Sequence, residues 1–395
     1  MSTETNPTTL KELLDAIEDP RINRTKRHKL VDILFITVCA VLCGAEDFVH
    51  IAEFGRVKKD WFAKWLELPN GIPSHDTFVR IFARMDPDKL NDIYLEWIAT
   101  IRKNISDVAD DSDQSNRQEE CIAIDGKTLR RSHDKTNGKS AIHMVSAWAS
   151  KAKLVLGQVK VNEKSNEITA IPELLDKLDV AGCLVTIDAM GCQKEIASKI
   201  HEKKATYVLA LKKNHLNMYE SAQMYLEYAE EMKFRGYTKR TTSSSGKNHG
   251  RIETRKYLLL NLPEEIGWEE EKRDWPGLVS IGMVQATRQI GDEITTATRF
   301  YITGLDAGVK GSALKFARAV RNHWGIENKV HWCLDVAMNE DDCRVRKDNA
   351  PENLGVIRHI ILNILRQDTT VKTGIAGRRL RAGWDTEYME HLMKI

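Results

Sequence analysis

Between Ala319 and Asp335 the chain reads AVRNHWGIENKVHWCLD, apolar at the spacing of a buried helix face, with a carboxylate in the middle of that face. At about 100° per residue, Val320, Trp324, Leu334 and Met338 share one stripe, and Glu327 and His331 fall inside it. An ionised carboxylate is costly to bury alone, so Glu327 implies a cation, a hydrogen-bond network or a raised pKa. His323 and His331 each stand four residues from it, and on this stretch alone the simplest arrangement is a metal site built on one helix.

Whether that arrangement holds depends on the remaining elements, and 395 residues leave room for two or three domains. Composition excludes little beyond general disorder: 42% of residues are hydrophobic and 29% charged. The net charge of +2 balances 59 basic against 57 acidic residues, so a nucleic-acid surface must come from local segregation of charge. Seven cysteines at 39, 43, 121, 183, 192, 333 and 343 form no CxxC pair and point to reduced thiols in a cytosol. Cys192 and His201 lack paired ligand spacing for zinc. The polar, acidic start is no secretory signal, and the longest apolar run, Leu30 to Ala45, is broken by Asp32 and falls short of the ~18–20 residues of a membrane span. No membrane association is expected, and that run reads as a core helix.

Residues 1–105 read as an all-helical N-terminal domain. The basic run RINRTKRHKL and the turn-and-cap sequence GIPSHDTFVRIFARM leave DNA binding there open beside a solvated surface and a plain helical hairpin. The polar stretch 106–119 reads as a linker. Beyond it the period changes to that of strands. CIAIDGKTLRRS, AIHMVSAWAS and KLVLGQVKVN predict an antiparallel meander. A helix over 168–180, a buried strand in CLVTIDAMGCQ, a helix and a further strand follow, which makes an α/β domain with central strands covered on both faces. From about 214 to 302 the chain reads as an insertion: an acidic helix, a flexible TTSSSGKNHG loop, then three strand-like runs with Gly291-Asp292 as a hairpin turn. Ser312 is the candidate N-cap of the helix that leads to Glu327.

Asp125 follows the apolar Ile122-Ala123-Ile124, and Asp188 follows Val185-Thr186-Ile187. Carboxyl ends of strands are where α/β sheets bind ligands, although either aspartate could equally cap the next element. Three carboxylates from separate elements suit a two-metal site for phosphoryl transfer, since Mg²⁺ takes oxygen ligands and leaves positions open to phosphate.

AIDGKTLRRS, VTIDAMGCQ, HGRIETR, YITGL and RNHWGIEN…HWCLDV together resemble the DDE-type transposases of bacterial insertion sequences, in the group of H-repeat-associated proteins. The resemblance runs from roughly residue 20 to the end. It implies a ribonuclease H-like catalytic domain, a mixed sheet flanked by helices, in two parts (120–213 and 303–370) around a β-rich insertion (214–302), with 371–395 as a tail. It further implies a DDE triad at Asp125, Asp188 and Glu327 holding two Mg²⁺ ions, with Mn²⁺ able to substitute, and cleavage of double-stranded DNA at transposon ends followed by strand transfer into target DNA. A homodimer or higher oligomer in the bacterial cytosol, nucleoid-associated when bound to DNA, is the implied assembly. The alternative is a non-transposing DNA-binding or nuclease relic, and a helix-borne zinc hydrolase is disfavoured because it leaves both aspartates idle. The wider family sets tyrosine, arginine and lysine around the glutamate, whereas this chain has Val320, His323 and Leu334 there. Arg321, Lys329, His323 and His331 are therefore candidate phosphate or hydrogen-bonding contacts. Lys127, Arg130, Arg131, His249, Arg251 and Arg255 complete the candidate DNA contacts, and Trp275 is a candidate for stacking on an unpaired base, though more simply a partly buried side chain.

Overall fold

The computed structural model describes residues 10–22, 26–109, 119–134, 138–162, 166–248, 250–263 and 267–394. Most of the predicted linker, residues 110–118, and His249 lie outside the described residues. In chain order the helices α1 (Leu10–Asp15), α2 (Leu30–Leu42), α3 (Phe48–Val57), α4 (Lys59–Phe62), α5 (His75–Arg84) and α6 (Pro87–Ala109) come first. Strands β1 (Cys121–Leu129), β2 (Ile142–Ala149) and β3 (Leu154–Lys160) follow, then α7 (Glu167–Lys177), β4 (Leu184–Ile187), α8 (Lys194–Glu202), β5 (Thr206–Leu211) and α9 (Leu216–Glu231). The remainder is β6 (Lys239–Asn248), β7 (Arg251–Asn261), α10 (Glu269–Asp274), β8 (Ser280–Ile290), β9 (Glu293–Thr303), α11 (Ser312–Ile326), a π-helical turn (Glu327–His331), α12 (Trp332–Met338), α13 (Ala350–Gln367), α14 (Ile375–Trp384) and α15 (Thr386–Leu392). The architecture is mixed α/β, with parallel and antiparallel strand pairs.

The chain divides into two compact units, one of residues 1–117, 126–163 and 327–395, the other of residues 118–125 and 164–326. In the first, α2 is apolar on nearly every face and buried along almost its whole length, as a helix at the centre of a helical assembly must be, and α13 is buried as extensively although it carries polar side chains as well. β2 and β3 pair antiparallel. Asn363 of α13 binds β3 through both amide atoms, accepting from Val155 N at 2.8 Å and donating to Val155 O at 2.9 Å, which satisfies a buried side chain and an edge of the strand together. The stretch read as a tail contributes α14 and α15.

In the second unit the strands lie in the order β1-β4-β5-β9-β8-β7-β6. The start of β1 pairs parallel with β4, and β4 parallel with β5, whose fully or largely buried sequences LVTI and TYVLAL suit central strands. β9, β8, β7 and β6 continue the sheet antiparallel, with the predicted hairpin at Gly291-Asp292. The ribbon is buried near β5 and exposed at its far half: β9 goes from seven exposed residues to a buried FYIT end. α11 docks on this sheet through Phe316, whose ring meets Tyr301 edge-on at 5.5 Å and Tyr257 at 6.3 Å. A Cβ at Gly282 would lie 2.5 Å from that ring, so the strand is bare where the helix crosses it.

Two local readings change. TTSSSGKNHG is no flexible loop: its residues through Asn248 belong to β6, paired with β7 from Lys239↔Leu260 to Asn248↔Arg251. Ser312 opens α11 as its first residue rather than capping it, and its hydroxyl is buried without a hydrogen-bond partner.

Candidate active site

Parallel pairing of β1 with β4 ends at Ile124↔Ile187, so Asp125 and Asp188 are neighbours at the carboxyl ends of adjacent strands, about 4.8 Å apart in the sheet direction. Asp188 Oδ1 accepts the backbone N–H groups of Met190 at 2.9 Å and Gly191 at 3.3 Å. The aspartate therefore does cap the following turn, with one oxygen, and keeps Oδ2 for other work. One residue back but one, Thr186 Oγ1 lies 3.3 Å from His323 Nδ1 on α11. Burial lowers the His323 pKa against the opposing pull of Asp188, which favours a neutral ring turned into the protein rather than a phosphate contact.

Glu327 begins the turn directly after α11, four residues beyond His323. The predicted stripe is corrected here. The buried face runs through Phe316, Val320 and Ile326, with His323 half-buried, while Trp324 is 53% exposed and the Glu327 side chain 57% exposed. The π-helical turn adds a residue to one turn, so a constant 3.6-residue period cannot be carried across it. Glu327 is thus an accessible carboxylate, not a buried one. His331 is buried, with Nδ1 3.1 Å from Glu327 Oε2. Burial lowers its pKa in spite of the carboxylate, and a neutral ring donating Nδ1–H fits that bond. It too is a hydrogen-bonding partner and not a surface contact for DNA.

Lys127 is likewise corrected. Its side chain is 10% exposed, and its ammonium pairs with Asp335 at 2.7 Å, Asp341 at 3.0 Å and Glu340 at 3.1 Å, so its charge is turned into the protein and answered there rather than offered to a phosphate. These carboxylates escaped the sequence reading, although the acidic run DVAMNEDD just after the Glu327 helix was the available signal. Arg130 and Arg131 pair with Asp341 and Asp342 but stay 79% and 45% exposed. Lys329 and Arg321 are exposed. Trp275 is 2% exposed, set edge-on to His215, and cannot stack on a base.

A separate concavity of about 580 Å³ lies in the β6–β7 ribbon, lined by Ser244, Ser245, Gly246, Lys247, Arg251, Glu253 and Arg255 together with Arg321 of α11. Glu253 Oε2 accepts from Arg255 at 2.7 Å, and its Oε1 pairs with Arg251 at 3.3 Å. Against desolvation, which raises it, these arginines hold the Glu253 carboxyl below its ordinary pKa. Four cations around one carboxylate leave a positive surplus. Among the described residues no helix is long and apolar enough to cross a membrane.

The family described as Transposase DDE domain matches residues 116–364, and a family associated with it matches residues 11–98. The H repeat-associated protein YhhI of Escherichia coli strain K12 is 39% identical over 390 residues, 97% of each chain. YncI of Escherichia coli O157:H7 is 40% identical over 388 residues, 97% of this chain and 94% of that one. A piggyBac transposase synaptic complex with hairpin DNA aligns with 97% of this chain and 78% of that chain at 12% identity, with a TM-score of 0.43, too weak a likeness to bear on the fold. With the transposase domain spanning 116–364 and relatives near 40% identity covering almost all of it, the chain belongs to the DDE transposase family.

Proposed function

We propose that the chain is an active DNA transposase that cuts double-stranded DNA at transposon ends and joins the ends to target DNA through Asp125, Asp188 and Glu327, on a ribonuclease H-like core preceded by a helical N-terminal segment. The observation that carries this reading is the pair of aspartates side by side at the ends of β1 and β4, with α11 docked on β4; Glu327 follows α11 in the chain. The donor set fits the implied cofactor: carboxylate oxygens are the ligands a hard dication takes. Two Mg²⁺ ions bound there would supply Lewis-acid activation of the phosphodiester and of the attacking oxygen.

The chain's own residues divide the remaining work. The Met190 and Gly191 N–H groups fix Asp188 by one oxygen, so the carboxylate enters the reaction already oriented. His331 does the same for Glu327 by holding Oε2. Lys247, Arg251, Arg255 and Arg321 hold backbone phosphates of the duplex, which positions DNA without reading its sequence. Exposed Arg130, Arg131 and Lys329 are further DNA contacts in this reading, and assembly as a dimer or higher oligomer would bring paired ends together.

The test is Mg²⁺-dependent cleavage of DNA carrying the element's ends, wild type against Asp125→Asn, Asp188→Asn and Glu327→Gln. Each substitution is expected to lower the rate by about a thousandfold or more, about 4 kcal/mol of transition-state stabilisation. Activity retained by any variant removes that residue from the triad. DNA that is bound but not cut by the wild type under any divalent metal would instead identify a binding relic.

A further inference from the structure

We propose that Lys127 is a positioning residue: it ties the strand that carries Asp125 to the segment that follows Glu327, through a largely buried ionic cluster with Asp335, Glu340 and Asp341. The inference rests on the transposase reading for its consequence and on the geometry alone for the tie.

Asp125 and Lys127 are two apart on β1, so their side chains leave the same face of the strand. The ammonium lies among three carboxylates, in ion-pair contact with Asp335 Oδ1 at 2.7 Å and Glu340 Oε2 at 3.1 Å and donating a hydrogen bond to Asp341 Oδ1 at 3.0 Å. These come from two successive pieces of chain. Asp335 lies on α12, directly behind the π-helical turn that opens with Glu327, and Glu340 and Asp341 follow the left-handed residue Asn339 (φ 52°) that ends α12. One amine thus clamps β1 to both. The cluster is also closed electrically. Glu340, with 3% of its side chain exposed, has a second cation in Arg358 at 3.6 Å, and Asp341 has one in Arg130 at 3.1 Å, giving three carboxylates for three cations. Buried ion pairs of this kind contribute little net stability compared with apolar packing. Their well-attested use is to fix register. Here the register concerned is that of the strand end bearing one proposed catalytic carboxylate against the helix following another. A lysine spent in this way is unavailable to DNA, which separates its effect on chemistry from any effect on binding.

The experiment compares full-length wild type, Lys127→Met, Lys127→Arg and Asp335→Asn by three readouts: hydrogen exchange of the β1 amides, affinity for end-containing DNA, and single-turnover cleavage at saturating DNA. For Lys127→Met, exchange over residues 125–129 should rise about tenfold or more while the β4 amides stay unchanged. Its DNA affinity should stay within about twofold of wild type, with the same salt dependence. Its cleavage rate should fall about a hundredfold. Lys127→Arg should recover most of that rate, and Asp335→Asn, which leaves Glu340 and Asp341 in place, should fall between. If Lys127→Met does not fold, Asp335→Asn and Lys127→Arg decide the matter by the same split. A weaker affinity with a salt slope reduced by about one and unchanged β1 exchange would make Lys127 a phosphate contact and overturn the proposal. Unchanged exchange and cleavage would overturn it as well. A wild type that cuts no DNA would defeat the transposase reading, while β1 exchange would still decide the tie.

Discussion

A methyl group added at Gly191 would overlap Ile187 Cγ2 and lie 2.9 Å from Ile171 Cδ1. Both neighbours belong to the buried packing of β4 and α7, so neither can yield cheaply. Gly191 also donates to Asp188, and the turn that holds the carboxylate is therefore set by the absence of a side chain. Gly191→Ala is expected to destabilise the protein by about 1–3 kcal/mol and to lower cleavage more than DNA affinity, read from thermal unfolding and single-turnover rates. A thermal midpoint equal to that of wild type would show that the turn relaxes freely. Asp125 and Asp188 were legible because an aspartate after an apolar strand is a local pattern. The choice between capping and chemistry was not, and the structure assigns one Asp188 oxygen to the cap. Lys127 was misread for a different reason. Beside Asp125 it looks like a DNA contact, but the carboxylate Asp341 that engages it is 214 residues away, and no local pattern reports such a pairing.

Elements with a strong period were legible, and those held by their neighbours were not. β1, β4 and β5 announce themselves by short apolar runs. β6, rich in Thr, Ser and Gly, has no such run and is a strand because every residue from Lys239 to Asn248 has a partner on β7. The π-helical turn hid in the same way, and with it the exposure of Glu327. α13 is a third case: beside its Leu and Ile side chains it also buries Asn353, Arg358, His359 and Asn363. His359 is packed among Glu340, His331, Lys127 and Arg358. Burial drives its pKa from 6.5 down to about 4, with the two cations acting in the same direction and Glu340 opposing. Between those values the unfolded chain holds a proton that the folded chain does not. Stability is then fully present above about pH 6.5 and is lost as the pH falls towards 4, by on the order of 3 kcal/mol for this residue. His323 and His331, also lowered by burial, act in the same direction. Thermal unfolding between about pH 7.5 and pH 5 should therefore show a falling midpoint in wild type and a shallower fall in His359→Gln. Identical slopes in the two proteins would remove His359 as the cause.

Over the whole molecule, a net charge of +2 gives DNA no general attraction, and 59 basic residues matter only where their acidic counterparts are missing. The structure shows how uneven that is. Lys127, Arg130 and Arg131 answer the acidic run after α12, and Lys194 and Arg273 answer Asp274. In the β6–β7 concavity, Lys247, Arg251, Arg255 and Arg321 surround the single carboxylate of Glu253. Arg251 and Arg255 could be picked out as candidates from the sequence, but not the concavity, because Arg321 reaches it from α11 and only the fold brings that helix to the ribbon. If these cations hold backbone phosphates, each contact releases counterions, and affinity must fall with salt in proportion to their number. Arg255→Ala combined with Arg321→Ala should weaken binding to all duplexes alike and reduce the slope of log affinity against log salt by about two. Arg273→Ala, which removes an exposed arginine of α10 remote in sequence from the ribbon's lining, should leave the slope unchanged. A double variant that keeps the wild-type slope while losing affinity for one end sequence would assign these arginines to base reading. One that changes neither would move the DNA path off the ribbon to the exposed Arg130, Arg131 and Lys329.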